Sequence, residues 1–180
     1  NLGQGTYKDG GGNLWILPAV RSAKEKTKDS NHEYFPILGV PSFRTLAMDL
    51  ILGESSAAVR EERVASCQAL SGTGALYIAG TMLKEALGRD TTNHRQVFES
   101  IGEGERVGLC AFSSNTPTIT AAVTSSLARM ILVEISKPPA YGARIIAAIL
   151  EDEEIYAQWR KDLITMSSRI AMGIIPCFPL

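Results

Sequence analysis

The stretch SCQALSGTGALYIAG, Ser66 to Gly80, sets two hydroxyls and two glycines at one junction, Ser71-Gly72-Thr73-Gly74, between two apolar runs. Val64 to Leu70 reads as a short buried strand. Ala75, Leu76, Ile78, Ala79, Met82, Leu83, Ala86 and Leu87 recur at three and four residues, the period of a helix with one apolar face. Ser71 or Thr73 can cap that helix, because a hydroxyl accepts from an orphan backbone N–H. Glycine lets the chain take a left-handed turn or approach another group closely. A helix N-terminus also directs free N–H groups and a positive dipole end outward, which favours phosphate. Two readings therefore stand side by side, a capped junction without ligand and a phosphate cup. For so short a motif the capped junction is the simpler one.

The elements around the junction alternate. Residues 1–18 form a glycine-rich extended segment, and Pro18 opens a charged amphipathic helix to about Lys28. A loop with two prolines, SNHEYFPILGVPS, leads to a helix over Ser42–Leu52, and Ser55-Ser56 cap a second short one. After the junction helix, Gly88 to Ile101 is polar, with a possible strand near Val97. Arg106 to Phe112 is a clear buried strand. SSNTP caps a long helix from Pro117 to about Val133, and further helices run from Tyr141 to Leu150 and from Glu151 to Ile170. These are the helices of a larger α/β protein with too few strands to cover them, since such helices normally pack on several parallel strands.

Bulk properties narrow the function. The 180 residues carry 45% hydrophobic and 21% charged residues, as an ordinary globular protein does, and suffice for about one domain. A net charge of −1 without a basic run points away from nucleic acid. No apolar run approaches the ~20 residues of a membrane span. Cys67, Cys110 and Cys177 lie far apart, which suits buried reduced thiols better than a disulfide framework. His32 and His94 have no second ligand at zinc spacing, so no metal site is expected. The start, NLGQGTYKDGGG, has no Met, basic n-region or leader h-region, and is expected to lie inside a longer protein.

Six ordered blocks, NLGQGTYKDGGGNLWILPAVRSA, NHEYFPILGVPSFR, QALSGTGALYIAG, NHRQVF, GERVG and SKPPAYGARIIAAIL, together resemble the aspartate aminotransferases. These are fold type I transaminases, dependent on pyridoxal phosphate, that act on aspartate and 2-oxoglutarate. The resemblance implies an α/β fold, part of the three-layer αβα large domain with several central strands missing. It divides the chain into an N-terminal arm (1–18), an incomplete cofactor-binding domain (19–170, with junctions near 88–94 and 98–104) and an unmatched tail (171–180). It implies pyridoxal 5'-phosphate as cofactor, an amino acid and a 2-oxo acid as substrates, and a homodimer. The loop NHEYFPILG resembles the cytosolic form more than the mitochondrial one, so the cytoplasm is the expected compartment.

By the same resemblance, Ser71, Gly72 and Thr73 match the turn that holds the cofactor phosphate, and Arg106 matches the arginine paired with it. A guanidinium fork suits a dianion. Tyr34 matches the tyrosine that reaches the partner subunit's cofactor phosphate, Gly5 a glycine lining the substrate pocket, and His94 the histidine behind the cofactor ring. Each has a plainer counterpart: a surface ion-pair arginine, a packing aromatic, a turn glycine and a loop histidine.

The departures are as informative. The family's lysine, which binds the cofactor covalently and shuttles the proton, stands eight residues before the GERVG arginine in an S-x-S-K motif. Phe98 is there instead, and none of the seven lysines present lies in such a motif. The N-P-T-G asparagine, the pyridine-nitrogen aspartate, a ring-contacting tyrosine and the stacking tryptophan have no counterpart. Leu132 falls where the side-chain-carboxylate arginine belongs, with Arg129 three residues away, and Lys137 replaces the asparagine of S-N-P-P. The match ends after Ile170, without the α-carboxylate arginine.

No catalytic residue is therefore assigned. Two origins fit: a product that has lost segments, for example by splicing, or a full enzyme from which this sequence omits segments. An intact mass near 19.4 kDa supports the first and one near twice that the second. A second function, from another class, is a non-catalytic dimerisation or interaction module derived from a transaminase. A third outcome is failure to fold, because lost strands expose sheet edges and apolar helix faces.

Overall fold

In a computed structural model, residues 7–31, 33–53, 55–86, 95–99 and 105–174 are described, with the backbone alone for 86, 95–99 and 171–174. The chain divides into two compact units, one of residues 31–147 and one of the N-terminal residues up to Ser30 together with the chain from Ala148 on.

The larger unit is built on three strands, β1 (Val64–Leu70), β2 (Arg95–Glu99) and β3 (Val107–Ser113), in the order β1-β3-β2. Both ladders are antiparallel. The parallel sheet expected from helix–strand alternation is thus not what neighbours β3, because each flanking strand reaches it with reversed direction. β1 and β3 are buried almost throughout, as strands covered on both faces are. Ala65, Cys67 and Ala69 point to one face with Cys110 and Phe112. There they meet Ala75, Ile78, Ala79 and Met82 of α4 (Ser71–Ala86) and Leu127, Met130 and Ile131 of α5 (Pro117–Glu134). Thr116 caps α5, its hydroxyl accepting from the Ile119 N–H at 3.3 Å, and Pro117 fills the first turn.

The opposite face of β1 is polar. Ser66 accepts from Nε of Arg44 at 3.3 Å, and Gln68 is fully buried. Arg44 lies on α2 (Pro41–Leu52), where burial lowers its basicity. α3 (Ala57–Arg60) follows Ser56, whose side chain makes no cap bond, contrary to expectation. α6 (Ala140–Glu151) approaches β3 at Gly142, where a Cβ would stand 2.4 Å from Val107 Cγ2 and 2.5 Å from the Glu105 carbonyl oxygen.

Cys67 and Cys110, far apart in sequence, are direct cross-strand partners, both buried and both free thiols. The hydrogen bond from Cys67, followed by burial, pushes the Cys110 thiol well above the ordinary range. Cys110 is therefore an inert, structural thiol. Cys177 lies outside the described residues.

In the smaller unit, α1 (Pro18–Thr27) packs against α7 (Glu153–Ile174). The boundary expected between a helix ending at Leu150 and one starting at Glu151 falls at Asp152. Its Oδ1 accepts from the Glu154 and Ile155 N–H groups at 3.0 and 3.1 Å, so it caps a new helix. The glycine-rich arm is a tight turn rather than an extended segment over its described part. Lys8 bridges Leu14, and Asp9 Oδ1 accepts from Gly11 and Asn13.

Leu17 offers α1 no side-chain cap. Asp162 of α7, 3% exposed, supplies one from 143 residues away, accepting the Ala19 N–H at Oδ2 (3.0 Å) while Oδ1 takes Gln158 Nε2 (2.8 Å). Asp162→Ala orphans a buried N–H and is expected to cost about 1–3 kcal/mol in urea unfolding. Asp162→Asn, which keeps an acceptor, is expected to cost less than half of that.

Candidate functional site: a cup at the start of helix α4

β1 runs into α4 without a connecting loop, and Ser71 absorbs the change of direction with φ +59°. Arg106, at the start of β3, is also left-handed, with φ +53°. The two face each other across the end of the ladder, where the Ser71 N–H donates to the Arg106 carbonyl at 3.2 Å. Left-handed backbone at a residue with a Cβ costs about 1–3 kcal/mol and persists where surroundings enforce it, often at binding sites. The enforcing neighbour here is Gly108. A Cβ on it would stand 2.5 Å from the Ser71 carbonyl oxygen and 2.6 Å from its carbon, so the β3 backbone presses directly on the turn.

The chemistry follows from that packing. Ser71 is 8% exposed, and its Oγ is buried with no hydrogen-bond partner among the described residues. The cap that Ser71 was expected to provide is therefore not made by this hydroxyl, because the left-handed backbone turns it from the helix's own N–H groups. An orphaned hydroxyl beside a helix N-terminus is an unfilled demand for an acceptor or donor from outside. The first turn of α4 holds no acidic residue, so nothing there opposes an anion. Gly72 is half-buried, and Thr73 and Arg106 are exposed. A phosphate suits the buried Ser71 hydroxyl at the start of α4, and the Arg106 backbone lies beside it.

The other sequence candidates fall differently. Tyr34 is 86% exposed and lies under Lys137, whose Nζ is 4.6 Å from the ring centroid. The structure brings it to Lys137 and not to the cup. Gly5 and His94 lie outside the described residues. Arg129 is an exposed residue of α5 whose guanidinium is 3.6 Å from Glu85, a surface ion pair, and Leu132 is half-exposed on the same helix. Phe98 is on β2, in register with Cys110. Lys26 and Lys28 are engaged by Asp152 and Glu25 at the surface. Gly108 and Gln68 escaped the sequence reading. The glycine of GERVG was the only available signal for the first, and nothing local marks the second.

A hydroxyl–glycine turn at a helix start, an arginine brought beside it by an antiparallel strand and an αβα layering define one class. The family model of aminotransferase class I and II matches residues 1–99. The chain belongs to that family, a family of transaminases. It is similar to the cytoplasmic aspartate aminotransferase of Gallus gallus, 45% identical over 87 residues, covering 47% of this chain and 21% of that protein. It is similar also to the cytoplasmic aspartate aminotransferase of Saccharomyces cerevisiae, 27% identical over 298 residues, 94% of this chain and 71% of the yeast protein. The solved yeast structure superposes with a TM-score of 0.81 at 28% identity, over 94% of this chain and 72% of that one. An aromatic-amino-acid aminotransferase of Burkholderia pseudomallei, covalently bound to pyridoxal phosphate, shares the fold at a TM-score of 0.82 and 20% identity, over 94% and 72% of the two chains. The chain spans about a fifth of the chicken protein's length. Against yeast, 298 aligned positions face a chain of 180 residues, so at least 118 have no counterpart here. Among the described residues, no helix is long and apolar enough to cross a membrane.

Proposed function

We propose that this chain carries the phosphate-anchoring half of an aspartate aminotransferase site for pyridoxal 5'-phosphate. The observation that carries the reading is the buried, unpartnered Ser71 hydroxyl at the start of α4. Ser71, the N–H groups of Gly72 and Thr73, and the Arg106 guanidinium would hold the phosphate. When bound, the cofactor supplies the electron sink for moving an amino group between aspartate and 2-oxoglutarate. This chain's own residues anchor and orient one end of it. The aldehyde end has no matching lysine, since Phe98 stands in its place, so binding without turnover is the expected behaviour.

By the same reading Tyr34 serves the cofactor phosphate of a second subunit in a homodimer, Gly5 lines the substrate pocket, and His94 backs the cofactor ring. Amino-acid and 2-oxo-acid substrates and a cytoplasmic location complete it. A dimerisation module without catalysis is the second reading, favoured by the exposure of Tyr34 on a segment held at several points.

Titration of pyridoxal phosphate and of inorganic phosphate into the chain tests the cup. A charge-assisted bond contributes about 1.5–3 kcal/mol, so Arg106→Ala is expected to weaken both ligands by about 10- to 100-fold. Unchanged affinity in that variant would show that the cup is only a structural turn.

A further inference from the structure

We propose that Gln68 is a positioning residue that fixes the Tyr34 segment to the strand carrying the cup. It lies three residues before Ser71, on the polar face of β1, and is fully buried. All of its polar groups other than its carbonyl are committed across the fold, none of them to β3. Its backbone N–H donates to the Leu38 carbonyl at 2.8 Å, so residues 36–40 cover the free edge of β1. Its Oε1 accepts the Val40 N–H at 3.1 Å, and its Nε2 donates to the Pro139 carbonyl at 2.7 Å.

One side chain thus ties two loops, and the loops meet again. Tyr34 is four residues before Leu38, Lys137 is two before Pro139, and the Lys137 ammonium lies over the Tyr34 ring. The circuit from Gln68 through Val40 to Tyr34, across to Lys137, and back through Pro139 is closed. Gly39 shows how tightly it is set. At φ +99° it packs where a Cβ would stand 2.3 Å from Gln68 Cβ and 2.6 Å from Oε1. A second tie fixes the segment's start, where Arg144 donates to Asn31 and stacks over Phe35 at 4.7 Å. A fully exposed aromatic on a segment clamped this firmly is aimed, not merely loose, and the clamp and the cup share one strand. This inference rests on the reading that Tyr34 serves a partner's site, but its test needs neither cofactor nor partner.

Hydrogen exchange and NMR on the full chain carry that test. In Gln68→Met, which keeps the shape and loses both side-chain bonds, the Val40 amide is expected to exchange at least about tenfold faster. The ring-current shift of Tyr34 on the Lys137 ε-methylene is expected to disappear, while the Cys110 and Phe112 amides of the β1–β3 ladder stay protected. Gln68→Glu keeps the acceptor and is expected to rescue Val40 but not the Lys137 signal. Gly39→Ala, which displaces the loop from its other side, is expected to repeat the Gln68→Met pattern and serves where that variant folds poorly. Tyr34→Ala should abolish the shift with Val40 still protected. Retention of both signals in Gln68→Met and Gly39→Ala overturns the proposal, as does their loss only together with the ladder amides. If Arg106→Ala leaves phosphate binding unchanged, the cup reading falls while these signals stand.

Discussion

Gly108→Val is expected to lower the stability of the larger unit by about 3 kcal/mol or more and to remove phosphate binding. The direction is informative because intrinsic preference predicts the opposite. Gly108 is on the central strand β3, near its start, where valine is normally favoured over glycine. The added Cβ, however, would lie 2.5 and 2.6 Å from the Ser71 carbonyl oxygen and carbon, and 3.2 Å from the Gly72 nitrogen. These are backbone atoms at the mouth of α4, and they cannot swing aside as a flexible side chain would. Relief requires β3 to part from β1 or Ser71 to leave its left-handed turn, and either opens the cup. Gly80→Ala is the control. It is on the exposed side of α4, its Cβ would meet nothing within 4 Å, and a gain of about 0.5–1 kcal/mol is expected from helix propensity. Urea unfolding of the two variants, with phosphate titration, checks the contrast. Equal stabilities would mean that the close approach at Gly108 does not shape the cup.

No transaminase turnover above that of free pyridoxal phosphate is expected from the 180-residue chain with aspartate and 2-oxoglutarate. The chemistry asks for an amine at the reacting carbon, one that alternates between covalent attachment and proton transfer. Phe98, at the matching position on β2, offers neither. The lysines at hand are surface residues, and Lys26 and Lys28 are already paired with carboxylates. An ammonium held against a carboxylate at the surface is not placed to attack an aldehyde in the cup. Binding without turnover therefore separates the two halves of the site. Borohydride treatment of the chain with pyridoxal phosphate, followed by peptide mass mapping, completes the test. One specifically labelled lysine together with turnover would sink the prediction.

Much of the local structure was legible because its causes are local. Pro18, Pro41 and Pro117 each occupy a first helical turn, where a missing N–H costs nothing. The three- and four-residue spacing after Gly74 marks the buried face of α4 at Ala75, Ile78, Ala79 and Met82, although Leu76 and Leu83 of the same pattern are exposed, and the unbroken apolar run at 107–112 marks a strand covered on both sides. The hydroxyl–glycine junction was visible as a turn of special backbone, though its left-handed member is Ser71, not a glycine. Local chemistry also misled where a distant partner intervened. No local residue caps α1, which takes its cap from Asp162.

Residue types and their order were enough to read a hydroxyl–glycine turn opening a helix and a buried strand after Arg106, and the family resemblance added the roles of that arginine and of the missing lysine. Which groups stand together was decided by strand pairing. The antiparallel register sets Leu70 against Val107, and so brings the Arg106 carbonyl to the Ser71 N–H and the Gly108 backbone against the turn. The same register makes Cys67 and Cys110 partners and turns Gln68 toward Val40 and Pro139. Periodicity reports which face of an element is apolar, since that depends on neighbours within four or five residues. Register and the burial of one unpaired hydroxyl depend on contacts between segments tens of residues apart, and only the folded chain supplies them.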